Sequence, residues 1–253
     1  MSSKFIGSVR LHAPYHPSIV IKLDKIEFKI DSSCGAKNEN KVYLLTHFHF
    51  DHVRSCMAGG ADFLSLSEDP IKIYAPNDDR KEYGETESVF EIHSKMINLH
   101  SKGRRKLVPI KENENIHFNG TSITPISLKH TIPNFGYHIK NEETSIFVTG
   151  DWEGANSKNR ERIISLNPRV LITECRYFFD EEIEVAEERM HAHVEDILEL
   201  KEELQNTLII LTHISHRYRE LDDIIKLTKD KELILAKNIS FNNTGYRVRE
   251  RFK

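Results

Sequence analysis

A chain of 253 residues is long enough to bury a substantial core, and we read it as one domain over 1–253. Its 36 Lys and Arg against 39 Asp and Glu leave a formal charge of -3, which excludes a strong global field for nucleic acid or anionic lipid. Three scattered cysteines exclude a disulfide framework, and no apolar run approaches the roughly 20 residues of a membrane span, so a cytoplasmic chain without a membrane partner is expected. The first half reads as short β-rich segments, "KFIGSV", "PSIVIKL", "IEFKID" and "VYLLTH", divided by Pro, Gly, Ser or Asn. "VRSCMAGG" reads as a short helix closed by glycine, "IKIYAP" as a strand, and "GETESVFEIHSKMINLH" (84–100) as a helix with an apolar stripe. Strands resume at "KLVPI", "NIHF", "SITPISLKH", "FGYHIK" and "SIFVTGD". From residue 159 helix and strand alternate: "NRERIISL" with "RVLITEC", "HVEDILELKEEL" with "TLIILTH", and "RELDDIIKLT" with "ELILAKN". The basic cluster "SKGRRK" (101–106) and the tail "RVRERFK" read as solvated.

Fourteen histidines is a high count, and their placement carries the functional reading. His47, His49, Asp51 and His52 form H-x-H-x-D-H behind the strand "VYLLTH". Residues two apart on an extended chain share a face, so His47 and His49 point the same way, and a turn into a helix brings Asp51 and His52 alongside. Imidazole and carboxylate are ligands for zinc and other divalent first-row metals. His130, Asp151 and His213 each close a further apolar strand, which gathers them along one edge of the sheet layer. Seven such groups suffice for two cations: His47, His49 and His130 on one, Asp51, His52 and His213 on the other, and Asp151 between them.

This order of motifs resembles the metallo-β-lactamase superfamily, from Asp31 in "KIDSSCG" to His213. The resemblance implies an α+β fold, an αββα sandwich of two mixed β-sheets face to face between outer helix layers. It also implies that Asp31 supports the metal loop by hydrogen bonds without being a ligand. The later segments "LKHTIPNFGYHI", "VLITECRYF", "MHAHVEDI" and "LTHISHRY" resemble ribonuclease Z, the tRNA 3′-processing endoribonucleases, in the short form seen in plants. That branch implies two Zn2+ (Mn2+ or Fe2+ fit the same ligands), precursor tRNA or another RNA as partner, a homodimer, and a carboxylate–histidine pair beside the metals, here Glu174 and His191.

Two cations about 3.5–4 Å apart supply a nucleophile at neutral pH and neutralise charge on the non-bridging oxygens of a phosphodiester. Asp51 would orient or deprotonate the water. The departing 3′-oxygen needs a proton, and His191 held by Glu174 is suited to give it, the carboxylate being expected to raise the imidazole pKa. His193 competes for this role. Residues two apart at a helix start project about 200° from each other, so one of the two faces the metals, and spacing favours His191. Arg104, Arg105 and Lys106 in the basic cluster, and Arg217 and Tyr218 beyond the last ligand, are candidate RNA contacts. His93 and His100 lie on or near the helix stripe, while His12, His16, His117 and His138 lack partners in the pattern.

The sequence departs from ribonuclease Z in three places. The short span from His130 to Asp151 holds a strand, a turn and a strand, with no room for the branch's long tRNA-gripping arm. The helix common between Asp31 and His47 should be missing or reduced to a turn, and Arg10 and His12 in "GSVRLHAPYHPS" replace glycines of the usual opening. A phosphodiesterase acting on small, cyclic diesters is therefore the alternative, and a non-catalytic RNA-binding subunit a third reading.

Overall fold

The computed structural model describes residues 6–34, 40–57, 70–81, 86–218, 221–235, 237–242 and 245–252. Apolar–polar alternation near the N-terminus forms a meander of β1 (Gly7–Leu11), β2 (Ile19–Leu23) and β3 (Ile26–Ile30). Parallel strands β4 (Lys41–Leu44), β5 (Ile71–Pro76) and β6 (Arg105–Ile110) extend it on one side. A second sheet starts with β7 (Ile116–Phe118), β8 (Thr121–Leu128) and β9 (Asn134–Lys140), antiparallel. Asn119 and Gly120, both at positive φ, make the tight turn between β7 and β8. Then come β10 (Ser145–Val148), β11 (Val170–Glu174) and β12 (Leu208–Thr212), which run parallel to one another. Last, β13 (Asn238–Asn242) and β14 (Gly245–Glu250) return to the first sheet beside β1, giving, among the described residues, eight strands in one mixed sheet and six in the other.

Strand alternation sorts the side chains into three layers. Val42, Leu44, Ile146, Val148, Val170 and Ile172 point into the core between the sheets. Their neighbours point outward. Tyr43, Ile73 and Leu107 pack under α1 (Phe50–Met57) and α2 (Val89–His100), through Val53, Cys56, Val89 and Ile97. Phe147, Leu171 and Leu211 pack under α3 (Ser157–Leu166), α5 (Val194–Glu203) and α6 (Asp222–Asp230), through Ile163, Ile197, Leu200 and Ile224. A 3-10 turn, Asp180–Glu182, and the short α4 (Ile183–Glu188) cross between β11 and α5. This is the αββα sandwich that the sequence resemblance implies. Among the described residues no helix is long and apolar enough to cross a membrane.

Several local expectations need correction. The helix expected over 84–100 begins at Val89, because Ser88 and Glu91 form a reciprocal capping box there; residues 82–85 lie outside the described ones. The helix expected from Val53 starts earlier, at Phe50, so it carries Asp51 and His52 in its first turn; the glycines expected to close it lie outside the described residues. "ELILAKN" bridges Ile234 to Ile210, and its last residue, Asn238, opens β13, residue 236 lying outside the described ones. The tail "RVRERFK" is not simply solvated: Arg247, Val248 and Arg249 lie in β14, and Val248 packs on the inter-sheet core. Between His130 and Asp151 the chain forms the strand–turn–strand that the short spacing predicts, with Asn141 accepting from the backbone of Glu143 and Thr144 in the turn. No helix lies between Asp31 and His47 among the described residues, 35–39 being outside them.

Candidate metal centre

Parallel register brings the strand ends level. Val148 pairs with Ile172 and Ile172 with Ile210, so the turns carrying Asp151, Glu174 and His213 emerge side by side. The first sheet meets them through two bonds at the end of β4: Tyr137 Oη donates to the Leu45 carbonyl (2.6 Å), and the Phe135 N–H to the Thr46 carbonyl (3.0 Å). Gly150 passes directly beneath, at φ +65; a Cβ on it would lie 2.5 Å from Asn134 Oδ1 and 2.8 Å from Thr46 Cβ, so glycine is required there.

Three groups of side chains result, each with ligand-type atoms within 4.8 Å of one another: His47, His49, His130 and Asp151; Asp51, His52 and His213; and Asp151, Glu174 and His191. The first two groups coincide with the division expected from the sequence, and Asp151 joins the first to the third. It also reaches the second, since its carboxylate lies 3.4 Å from Nε2 of both His52 and His213.

Hydrogen bonds to the outer ring nitrogens fix which nitrogen each histidine presents. Asp31, at φ +48, accepts from the Thr46 N–H (2.8 Å) and hydroxyl (2.7 Å) and from His52 Nδ1 (2.7 Å), which leaves His52 Nε2 inward. Because Thr46 gives its only hydroxyl proton to Asp31, it accepts from His47 Nδ1 at 3.0 Å, and His47 Nε2 also faces in. Backbone carbonyls do the same elsewhere: His130 Nδ1 donates to Met190 (2.8 Å) and His213 Nδ1 to Tyr15 (3.3 Å). His49 alone turns Nδ1 inward, 3.1 Å from His47 Nε2. Such orienting partners are what a metal site requires of its surroundings.

The electrostatics fit a cation. Burial, reinforced by His52, holds His47 well below the usual imidazole range, and burial with His130 brings His49 to about 4. Burial alone would raise Asp151, yet His213 and His52 hold its carboxyl well below the ordinary range. His52 goes the other way: burial disfavours its charge, but Asp151 and Asp31 outweigh it. The cluster thus draws positive charge to a point between two carboxylates. Nε2 of His52 and Oδ1 of Asp151, both buried, have no hydrogen-bond partner there, as expected of groups whose partner is a divalent ion.

Glu174 and His191 pack beside this cluster. Both carboxylate oxygens lie within hydrogen-bond distance of His191 Nδ1 (3.1 and 2.9 Å), and Oε1 also accepts the Trp152 N–H at 2.7 Å. Burial raises Glu174 well above the carboxylate range and lowers His191 to about 4, with Arg176 adding to the latter. The expected rise of the imidazole pKa is therefore corrected: burial dominates, and both partners favour their uncharged forms. His193 faces elsewhere, but not through helix geometry. It is the cap residue before α5, where Nδ1 accepts from Glu195 and Nε2 donates to the Phe179 carbonyl.

The candidate RNA contacts fare differently. Arg104, Arg105 and Lys106 lie at the start of β6, level with Ile71 at the start of β5, whereas His47 lies past the far end of the parallel β4. The length of β5, roughly 20 Å of strand, separates the two levels. Arg105 is buried and donates to the carbonyls of Cys56 (2.6 Å) and Cys34 (3.0 Å), so it is a structural residue and not an RNA contact; Lys106 is exposed and Arg104 half-buried. Tyr218 is also buried, its hydroxyl donating to Glu182 and accepting from the Phe178 N–H. Arg217 is half-exposed, over the Tyr177 ring at 5.8 Å.

Sequence reading missed Thr46, the Met190 and Tyr15 carbonyls, and Arg176, whose Nη1 donates to His213 Nε2 at 2.9 Å. It also left His16 without a partner, although its Nε2 lies 3.4 Å from Ser55 Oγ on α1 and burial lowers it to about 4. An arginine two places after a candidate glutamate was the one legible signal among these.

The comparisons agree with the geometry. The family model described as "Beta-lactamase superfamily domain" matches residues 37–214. A ribonuclease Z of Macrococcus caseolyticus is 23% identical over 226 residues, covering 70% of this chain and 71% of its own. Among solved structures, yeast PDE1 superposes with a TM-score of 0.67 at 12% identity (94% of this chain, 100% of that one), and the short form of human tRNase Z with 0.58 at 19% (84% and 94%). With most of its length matched by the family model, its two mixed sheets and its histidine-rich strand ends, this chain belongs to the metallo-β-lactamase superfamily.

Proposed function

We propose that the chain is a metal-dependent phosphodiesterase of the ribonuclease Z type, an endoribonuclease that removes the 3′ trailer of precursor tRNA. The Glu174–His191 pair against Asp151 carries this reading, since it sets a proton-bearing imidazole beside the ligand cluster. The relative named ribonuclease Z and the fold shared with human tRNase Z support it. His47, His49, His130, Asp51, His52, His213 and Asp151 would hold two divalent cations, zinc foremost and manganese or iron with the same ligands. When bound, such a pair supplies a nucleophilic water at neutral pH and charge stabilisation at the phosphoryl oxygens.

The protein's own groups do the rest. The Asp51 side chain is 42% exposed with Oδ2 3.6 Å from His213 Nε2, so it reaches both the cluster and solvent and can orient the attacking water. Glu174 holds His191 at Nδ1 and so fixes the ring; His191 gives a proton to the leaving 3′-oxygen from Nε2, the nitrogen turned away from the carboxyl, and regains one from solvent after the products leave. The products are a 3′-hydroxyl and a 5′-phosphate. Incubation with a 3′-extended precursor tRNA, with and without chelator, tests the reading: a chelator-sensitive cut just after the discriminator base is expected. Hydrolysis of bis(p-nitrophenyl) phosphate or a cyclic nucleotide without any cut in the tRNA would favour the second reading, a small-diester phosphodiesterase. The tight β9–β10 hairpin, which leaves no arm, favours that one.

A further inference from the structure

Arg176 is a positive charge that the ligand cluster does not explain. Its backbone is pinned on both sides: its N–H donates to the Ala192 carbonyl (3.0 Å), and its carbonyl accepts from the Ser215 N–H (3.2 Å). The half-buried side chain is thereby aimed into the site, where Nη1 meets Nε2 of His213. Carboxylates surround that nitrogen, Asp151 at 3.4 Å and Asp51 at 3.6 Å, yet Arg176 forms no ion pair with any described carboxylate. The nitrogen has one lone pair. A cation held by Asp51, His52 and His213 would take it, and the guanidinium would then let go of His213 while its backbone keeps it at the rim of the same site.

A guanidinium beside divalent cations is repelled unless an anion comes between them. A phosphodiester is such an anion, and its two non-bridging oxygens suit the planar N–H fork of arginine. We propose that Arg176 is a substrate-binding residue that takes a non-bridging oxygen of the scissile phosphodiester. Its charge makes the site select an anionic reaction centre over the neutral carbonyl of an ester, thioester or lactam. This deepens the phosphodiesterase reading and rests on it.

Metal-loaded wild type, Arg176→Gln and Arg176→Lys are compared by elemental analysis, by calorimetric titration with inorganic phosphate, and by hydrolysis of bis(p-nitrophenyl) phosphate. Arg176→Gln should keep its metal, bind phosphate about ten- to a hundredfold more weakly and raise KM by a similar factor, as expected on losing a charge-assisted hydrogen bond. Arg176→Lys should recover part of both, and added guanidinium should partly rescue Arg176→Ala. Loss of metal from Arg176→Gln at unchanged phosphate affinity per metal would overturn the proposal, because the arginine would then be positioning His213 only. Equal phosphate binding and equal KM in all variants would overturn it as well. If wild type cleaves no diester but Arg176→Gln still weakens phosphate binding, the anion site stands and the phosphodiesterase reading falls.

Discussion

The two sheets arm the site in opposite ways. From the first sheet come His47, His49, Asp51 and His52, all within one loop and one helical turn after β4, held by one carboxylate, Asp31, at the end of β3. The second sheet gives one group per strand end, His130, Asp151, Glu174 and His213, each from a different turn. What aligns these is the register of β10, β11 and β12, and a slip of one residue would turn every side chain to the wrong face. In one half the candidate ligands are neighbours in the chain and hydrogen bonds from a single carboxylate, Asp31, hold them; in the other the ligands are far apart in sequence and the packing of the whole sheet aligns them. The difference predicts which substitutions damage the site alone and which damage the fold with it.

Asp151 is where the two halves meet, and its removal should have the largest effect. Asp151→Ala should lose at least one of two bound cations and bring chelator-sensitive diester hydrolysis to background, while circular dichroism stays that of the wild type. Two cations retained at wild-type affinity would show that the halves do not share this carboxylate. His191→Ala comes next. It should keep both cations and slow cleavage of RNA by about 10²–10⁴-fold, the usual worth of a positioned general acid. With p-nitrophenolate, which departs readily without a proton, the loss should be much smaller. An equal loss with both leaving groups would mean that His191 does not supply the proton.

The same contrast explains how much of the site was legible in the sequence. H-x-H-x-D-H announced itself because its candidate ligands are neighbours in the chain, and the apolar strand ahead of each later candidate made their convergence legible. Arg105 and Tyr218 were misplaced because composition does not say where a side chain ends: one runs back to two carbonyls under the sheet, the other turns in to Glu182. The orienting carbonyls of Met190 and Tyr15 carry no residue-type signal at all, since every residue has one. The terminal strand β14 was hidden by its charge, which suits an edge strand as well as a free tail.

The local half can be loosened on its own. Asp31→Asn keeps an acceptor for the Thr46 N–H but turns a donor toward the Thr46 hydroxyl or His52, and should weaken metal affinity about 10- to 100-fold, as loss of an orienting partner does. Metal titration of the variant measures this directly. Unchanged affinity would mean that His52 holds its orientation without Asp31.

The smallest effects should come from the end of the sandwich away from the ligands, where neighbours in sequence differ sharply. Arg105→Gln removes two buried charge-assisted bonds to carbonyls and should cost about 3 kcal/mol of stability in denaturant melts, by moving the unfolding midpoint. Lys106, one residue on, points to solvent and sits roughly 20 Å of strand from the site. Lys106→Glu should leave stability and the hydrolysis of a short diester unchanged within about twofold, since exposed charges beyond a Debye length are screened. Its effect on RNA is read from the salt dependence of binding, where each phosphate that the protein ceases to neutralise flattens the slope by about 0.7–0.9. An unchanged slope would make the cluster a solvated strand end; a flatter one would show RNA reaching along the sandwich to the level of β6.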